Sequence, residues 1–288
     1  MSTFLEVLIG GMLLGGIYAL AAFGLAIVFG VLDVLNIAHG DLLMLGALAS
    51  YLLFTYLGLN PFLHILILIP VFLLIGFFCE RVLLRPIAGK PHSELLVSSI
   101  LITLGLSLFI SDLTNFFLGQ PYLSVPYTLP SFQLGGVVIS WMRILVLGVI
   151  VVLTAALHLY IQRTYVGKSI RAITQDKEGA RIVGIDVGRV SMFAFGIGTA
   201  LAAVAGVFFI ILFPIEPYIG IPLTVRYLCI IVLGGLGSLP GTLLSGLLLG
   251  VVEAFAGFFL GLDWQLTVPF IVLILFLIFR PRGLFGAA

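Results

Sequence analysis

Residues 163–189 read RTYVGKSIRAITQDKEGARIVGIDVGR, the one long charged island in a 288-residue chain that is 62% hydrophobic and 9% charged. The island holds six of the thirteen Lys and Arg residues, Arg163, Lys168, Arg171, Lys177, Arg181 and Arg189, with Asp176, Glu178 and Asp186 among them. Apolar runs of spanning length flank it on both sides, so the island must lie in water. Ile170, Ile173, Ala180, Ile182, Val183, Ile185 and Val187 give it apolar contacts of its own. That content marks a docking loop rather than a free linker.

Within it, Asp176 is placed to cap a short helix over 177–183, with Glu178 near the positive helix end and Gly184 able to take a left-handed exit. Ala180 and Val183 are expected on one face of that helix. The result is a rigid, partly apolar knob suited to a groove on another protein; a basic helix resting on lipid headgroups is the alternative. Gly167-Lys168-Ser169 resembles the end of a phosphate-binding loop, but the position that needs the first glycine is Gln162 and no strand precedes it. No nucleotide site of the chain's own is expected, and no cofactor.

A globular domain carries about a quarter charged residues; this chain, with a mean hydropathy of +1.32, is a polytopic membrane protein. Its net charge of +1 gives no case for nucleic acid, and the bilayer is the partner its composition demands. Cys79 and Cys229 lie inside apolar runs and have no metal-site spacing. The N-terminal run, with no cationic segment before it, is expected to be retained as a span.

A spanning helix needs about 20 apolar residues. Runs near that length cover 5–31, 41–57, 62–83, 95–118, 142–161, 190–213, 223–260 taken as two, and 265–279, an all-α bundle of about eight spans in a single domain. Cytoplasmic loops carry the excess of Lys and Arg. Arg81, Arg85 and Lys90, then the island, then Arg280 and Arg282 set one face as cytoplasmic, with the N-terminus outside and the C-terminus inside. Arg143 and Arg226 are the exceptions, expected to snorkel at outer span ends. The outer face then holds 119–141, with Pro121, Pro126 and Pro130, and the shorter 214–222.

Two stretches interrupt the helical pattern, 34–46 and 234–246, the second through Gly234, Gly235, Gly237, Pro240 and Gly241. Paired interruptions of this kind mark substrate paths in transporters built from repeats, where broken helices offer backbone groups near the midplane. Asp33, Asn36, His39 and Asp41 sit together in VLDVLNIAHGDLL, at and just before the first. They form either a cytoplasmic turn, with Asp41 or Asn36 capping a helix, or a bent segment lining the path. One His and two Asp in a turn are poor grounds for a metal. Glu253 is the most isolated charge in an apolar run and is expected to face the bundle interior, packed or paired. Thr103, Ser107, Ser111, Asp112 and Asn115 form a helical polar stripe suited to binding another helix.

Glu178-Gly179-Ala180, three residues, then Gly184 resembles the Glu-Ala-Ala…Gly signature of ABC importer permeases, with glycine at the middle alanine. The segments GGIYALAAFGLAIVFGVLDVLNIAHGDLLMLGA, KSIRAITQDKEGARIVGIDVGRV, VLGGLGSLPGTLLSG and FRPRGLFG together resemble the branched-chain amino acid ABC permease family in its LivH-type branch. The resemblance implies a multi-pass plasma-membrane protein of bacterial or archaeal type. It implies as partners a second homologous permease in a heterodimer, two cytoplasmic ATPase subunits, and a periplasmic or extracellular solute-binding protein. It also implies a coupling role for Glu178, Gly179, Ala180 and Gly184, with Arg171 and Arg181 beside them. The candidate path residues are Asn36, His39, Asp41, Gly234, Gly235 and Glu253. An ATP-independent secondary transporter or channel is the rival function. An intramembrane enzyme lacks both metal spacing and a nucleophile with its base.

Overall fold

The computed structural model describes residues 2–119, 122–134, 137–235, 237–265, 267–280 and 283–285; Pro121 and Arg282 lie outside them. The chain is almost wholly helical. Helices α1 (Ser2–Leu32), α2 (His39–Leu57), α3 (Pro61–Cys79), α4 (His92–Leu118), α5 (Trp141–Arg163), α6 (Tyr165–Gln175), α7 (Lys177–Ile182), α8 (Val187–Leu212), α9 (Gly220–Gly234), α10 (Leu239–Leu260) and α11 (Val268–Phe279) follow in order. A small antiparallel hairpin, β1 (Ser131–Leu134) and β2 (Val137–Ser140), precedes α5.

Among the described residues, seven helices are long and apolar enough to cross a membrane, and two apolar helices are shorter, Gly220–Gly234 and Asp263–Phe279. Counted together these described helices make nine, the same as the apolar runs once 223–260 is taken as two, against an expectation of about eight spans. An outside N-terminus with an inside C-terminus requires an odd number of crossings, whereas eight would place both termini on one face. The 223–260 run is indeed two helices, broken at 235–238.

Helix ends follow local chemistry. Asp33 ends α1 in the left-handed region at φ +56, a conformation that Asp tolerates better than most side chains, and its N–H donates to the Phe29 carbonyl at 2.9 Å. Asn60 caps α3, its Oδ1 accepting from the Phe62 N–H, with Pro61 at the first helical position. Ser238 caps α10 in the same way, through Gly241 N–H.

The chain divides into two compact units. One comprises Gly24–Val125 and Leu157–Val225. Its packing rests on small residues, the usual solution where lipid is as apolar as the interface and association depends on close backbone approach. A Cβ at Gly46 would lie 2.4 Å from Ala203 Cα, and one at Gly206 would lie 2.2 Å from the Leu43 carbonyl oxygen, so α2 and α8 meet backbone to backbone. Gly76 brings α3 onto Gly196 and Thr199 of α8 in the same manner. The other unit comprises Met1–Phe23, Pro126–Ala156 and Arg226–Ala288. There, Gly15 on α1 and Gly250 on α10 leave no room for a Cβ on either. Large apolar side chains such as Leu101, Phe116, Val152 and Phe259 remain exposed on α4, α5 and α10, the faces that hydrocarbon would cover.

Candidate functional site

The charged island is helical through most of its length. Thr164 caps α6, its hydroxyl accepting from the Gly167 N–H at 3.1 Å, and Ile170 and Ile173 point inward from that helix. Gly167 is a packing glycine, since a Cβ there would lie 2.3 Å from Ile161 Cα.

Asp176 caps α7 as its position suggests. Its Oδ1 accepts from the N–H groups of Glu178 at 3.1 Å and Gly179 at 3.0 Å. At the other end, Ile185 N–H donates to the Ala180 carbonyl and Gly184 N–H to the Arg181 carbonyl, each at 3.0 Å, with Gly184 at φ +85. This paired closure fixes the exit of a helix of only six residues. One expectation fails. Ala180 is buried at 4% exposure while Val183 stands out at 75%, beside Ile182 at 86%. Ala180 and Val183 do not share a face, because the helix ends at Val183 and the turn at Gly184 carries the chain away. The outward apolar pair is Ile182–Val183. Glu178 and Arg181 pair with each other at 2.9 Å in the open, and Arg171 is also exposed.

The polar cluster that follows α1 divides in two. Asp33 faces Lys177 of α7 at 3.3 Å, so the acidic break acquires its cation from the island. Asn36, His39 and Asp41 are fully buried. Neither Asn36 nor Asp41 caps a helix: the residue at the start of α2 is Ala38, with no side-chain cap. The turn is held instead by threonines from other helices. Thr224 of α9 donates to the Ile37 carbonyl and accepts from the Gly40 N–H, both at 2.7 Å, and Thr103 of α4 accepts from the Ile37 N–H at 3.0 Å. Asp41 accepts from Ser107 and, at 2.9 Å, from Ser111. The polar stripe on α4 therefore binds the start of α2, as a helix-binding stripe should. Further along it, Asp112 accepts from the Tyr218 hydroxyl at 3.0 Å, a bond that raises the phenol's pKa above its ordinary value. Both side-chain amide atoms of Asn36 are buried without a hydrogen-bond partner. A buried amide left in that state is costly and is suited to a ligand that supplies the missing partners.

Glu253 lies in the other unit and is paired. Its Oε1 is 3.2 Å from Arg226 Nε, and its Oε2 accepts from the Tyr18 hydroxyl at 3.1 Å. The Nε–Oε1 contact is an ion pair without an aligned hydrogen bond. The guanidinium also lies 6.0 Å from the Tyr18 ring centroid. Arg226 does not snorkel: its side chain is only 14% exposed, and its partner sits mid-way along α10. Two isolated charges of opposite sign in separate apolar runs were the signal that could have paired them.

Gly234 and Gly235 serve a backbone crossing. A Cβ on Gly234 would lie 2.5 Å from the Gly241 carbonyl carbon, and Gly235 sits at φ +96 against Gly283. The C-terminal segment closes α9, with Leu284 N–H donating to the Leu233 carbonyl at 2.8 Å and Phe285 N–H to the Gly234 carbonyl at 3.1 Å. Gly234, Gly235 and Glu253 thus belong to a different compact unit from Asn36, His39 and Asp41.

Residues 7–277 match the family model described as branched-chain amino acid transport system / permease component. The chain belongs to that family. It is similar to the high-affinity branched-chain amino acid transport system permease protein BraD of Pseudomonas aeruginosa, at 35% identity over 98% of this chain and 96% of that protein. The permease protein LivH of Escherichia coli K12 is 30% identical over the same shares. The probable LivH of Methanocaldococcus jannaschii is 24% identical, covering 97% of this chain and 92% of its own. Among solved structures, PsaBC from Streptococcus pneumoniae, in complex with Fab, aligns over 97% of this chain and 92% of its own with a TM-score of 0.51 at 12% identity, a likeness of fold. The chain is thus a multi-pass transport permease component, not an enzyme.

Proposed function

We propose that the chain is the membrane subunit of an ATP-driven importer for branched-chain amino acids or related small amino acids and amides. In this reading all 288 residues act as one permease domain, with the N-terminus outside and the C-terminus in the cytoplasm. It pairs with a second, homologous permease, two cytoplasmic ATPase subunits and a solute-binding protein at the outer face. The observation that carries it is α7. Closed at both ends and only six residues long, the helix presents Ile182 and Val183 to solvent from a rigid base, the form a force-transmitting contact needs. The relatives named above support the substrate class. Glu178, Gly179, Ala180 and Gly184 build the coupling element, with Arg171 and Arg181 flanking it. Asn36, His39 and Asp41 line or gate the path, with the unpartnered Asn36 amide as the group open to a solute; Glu253 serves through its ion pair, and Gly234 and Gly235 through the turn they allow.

Alternating access requires contacts with the ATPases that differ between their two states. Gly184→Pro cannot hold the positive φ of the exit, and Glu178→Arg places a cation at the positive end of α7. Both variants should insert normally yet lose solute-stimulated ATP hydrolysis and uptake together in reconstituted vesicles. Full stimulation in both refutes the coupling role, and recovery of a homo-oligomer alone in a pull-down favours an ATP-independent transporter.

A further inference from the structure

Beside α7 lies a cavity of about 340 Å³ that neither the coupling contact nor the path residues account for. It falls within the range of roughly 300–1,000 Å³ typical of small-molecule sites. Its walls come from the end of α1, the segment after α3, the start of α4, α7 and the start of α8. Three features distinguish it from a packing defect. First, Glu80 lines it at 2% exposure, with Oε2 buried and without a hydrogen-bond partner. Such an oxygen requires a donor, and burial makes its absence costly. Second, three cations, Arg85, Lys177 and Arg181, line the same cavity and are themselves more accessible. Lys177 and Arg181 are committed only to partly exposed pairs with Asp33 and Glu178, contacts worth little and readily exchanged. Third, Leu32, Val34, Leu84, Ala88 and Leu95 supply an apolar wall. The second lining carboxylate, Asp186, is paired with Arg189 at 3.0 Å, so an unanswered buried anion, accessible cations and an aliphatic wall remain to complement a molecule carrying an ammonium, a carboxylate and a small aliphatic side chain.

We propose that this cavity binds a free aliphatic amino acid, its ammonium on Glu80, its carboxylate on Arg85, Lys177 or Arg181, and its side chain against the aliphatic wall. A ligand so held bridges α7 to the segment that follows α3. It thereby favours one arrangement of the coupling element. The face from which the ligand enters rests on the proposed orientation, which makes it solute already delivered to the cytoplasm; binding itself does not depend on the transport reading.

The test is direct binding of radiolabelled leucine to the full chain, purified with its associated subunits in lipid nanodiscs and without solute-binding protein. Leucine should bind, while isocaproate, which lacks the ammonium, and isoamylamine, which lacks the carboxylate, should each compete about tenfold or more less well. Glu80→Gln should weaken leucine binding by a similar factor. Ala88→Trp, a change at an exposed residue that fills the cavity without disturbing a core, should abolish it. Hydrogen exchange of the α7 amides should slow on leucine addition in the parent and in neither variant. The inference is overturned if leucine does not bind, or if both variants bind it as the parent does. It is also overturned if isoamylamine competes as well as leucine, because a site for a bare cation suits a Lys or Arg of a partner subunit instead. Leucine uptake in vesicles supplied with solute-binding protein reads the proposed function separately, so either can fail while the other stands.

Discussion

Replacing Arg226 by Met removes the cation paired with a carboxylate that is 1% exposed. Loss of one member of a buried ion pair costs about 3–5 kcal/mol, because the partner is left charged without compensation. Here Glu253 keeps one stabilising contact, the Tyr18 hydroxyl at 3.1 Å, so the lower half of that range applies. Glu253→Gln alone strands the guanidinium instead and should cost a comparable ~3 kcal/mol. In the double variant, Arg226→Met with Glu253→Gln, no charge remains and the Gln carbonyl still accepts from Tyr18. It should recover to within roughly 1–2 kcal/mol of the parent, since a neutral replacement avoids the desolvation of both ions. The coupling energy in a double-mutant cycle is then about 3 kcal/mol or more in favour of the pair being changed together. Equilibrium unfolding of the three variants and the parent in one detergent measures it. Additive losses, with the double variant as unstable as the two singles summed, would refute the pairing and leave Glu253 acting through some other contact.

Single cysteines at Lys90 and Lys177 should label only from the cytoplasm and one at Tyr127 only from outside; labelling of Tyr127 and Lys177 from one side defeats the orientation. The Asp33–Lys177 pair is partly exposed, at 46% and 29% of the side chains, so Lys177→Glu should change stability by less than about 1 kcal/mol. If the pair links α7 to the break after α1, that variant should nonetheless depress solute-stimulated ATP hydrolysis, and adding Asp33→Lys should restore it; unchanged hydrolysis in the single variant removes the pair from coupling. Asp41→Asn exchanges a carboxylate that accepts from Ser107 and Ser111 for a side chain with one acceptor oxygen. With charge-assisted bonds worth about 1.5–3 kcal/mol, it should lower stability measurably, and uptake rate or solute preference should shift with it; together with His39→Ala, normal uptake at normal assembly would return the segment to a purely structural turn.

What could be read in the sequence was whatever a local rule decides. Asp176 and Gly184 bracket α7 because capping and a left-handed exit are properties of a few consecutive residues. The stripe on α4 has helical spacing, and its use as a helix-binding face follows from that spacing alone. The failures are non-local. That Thr224 and Thr103 hold the turn before α2, leaving Asn36 and Asp41 with no capping duty, depends on helices more than sixty residues away. Arg226 is expected at an outer span end because the apolar run starts at Leu223, whereas α9 starts at Gly220 and holds Arg226 near the middle of a helix of 15 residues, about 22 Å long and too short to cross alone. The hairpin of β1 and β2 did leave a local trace, Gly135-Gly136 between SFQL and VVIS, a two-residue turn signal overlooked among the prolines around it.

The buried polar groups differ in whether they are answered. Three carboxylates beyond the island are each held by specific partners: Asp41 by two serines, Glu253 by Arg226 and Tyr18, Asp112 by Tyr218. Such groups are locked, and a locked carboxylate in an apolar bundle supports structure more readily than it exchanges partners with a passing solute. Asn36 differs because its amide is buried and unanswered, three residues from the Asp33 that faces Lys177 of α7. One partly exposed ion pair and a short non-helical stretch connect α7 to the Asn36 segment. The segment is also held at Ile37 and Gly40 by Thr103 and Thr224. In the coupling proposed above, a movement at the charged island would reach the Asn36 amide by this connection. The close backbone approach of α2 and α8 at Gly46 and Gly206 lies outside this connection.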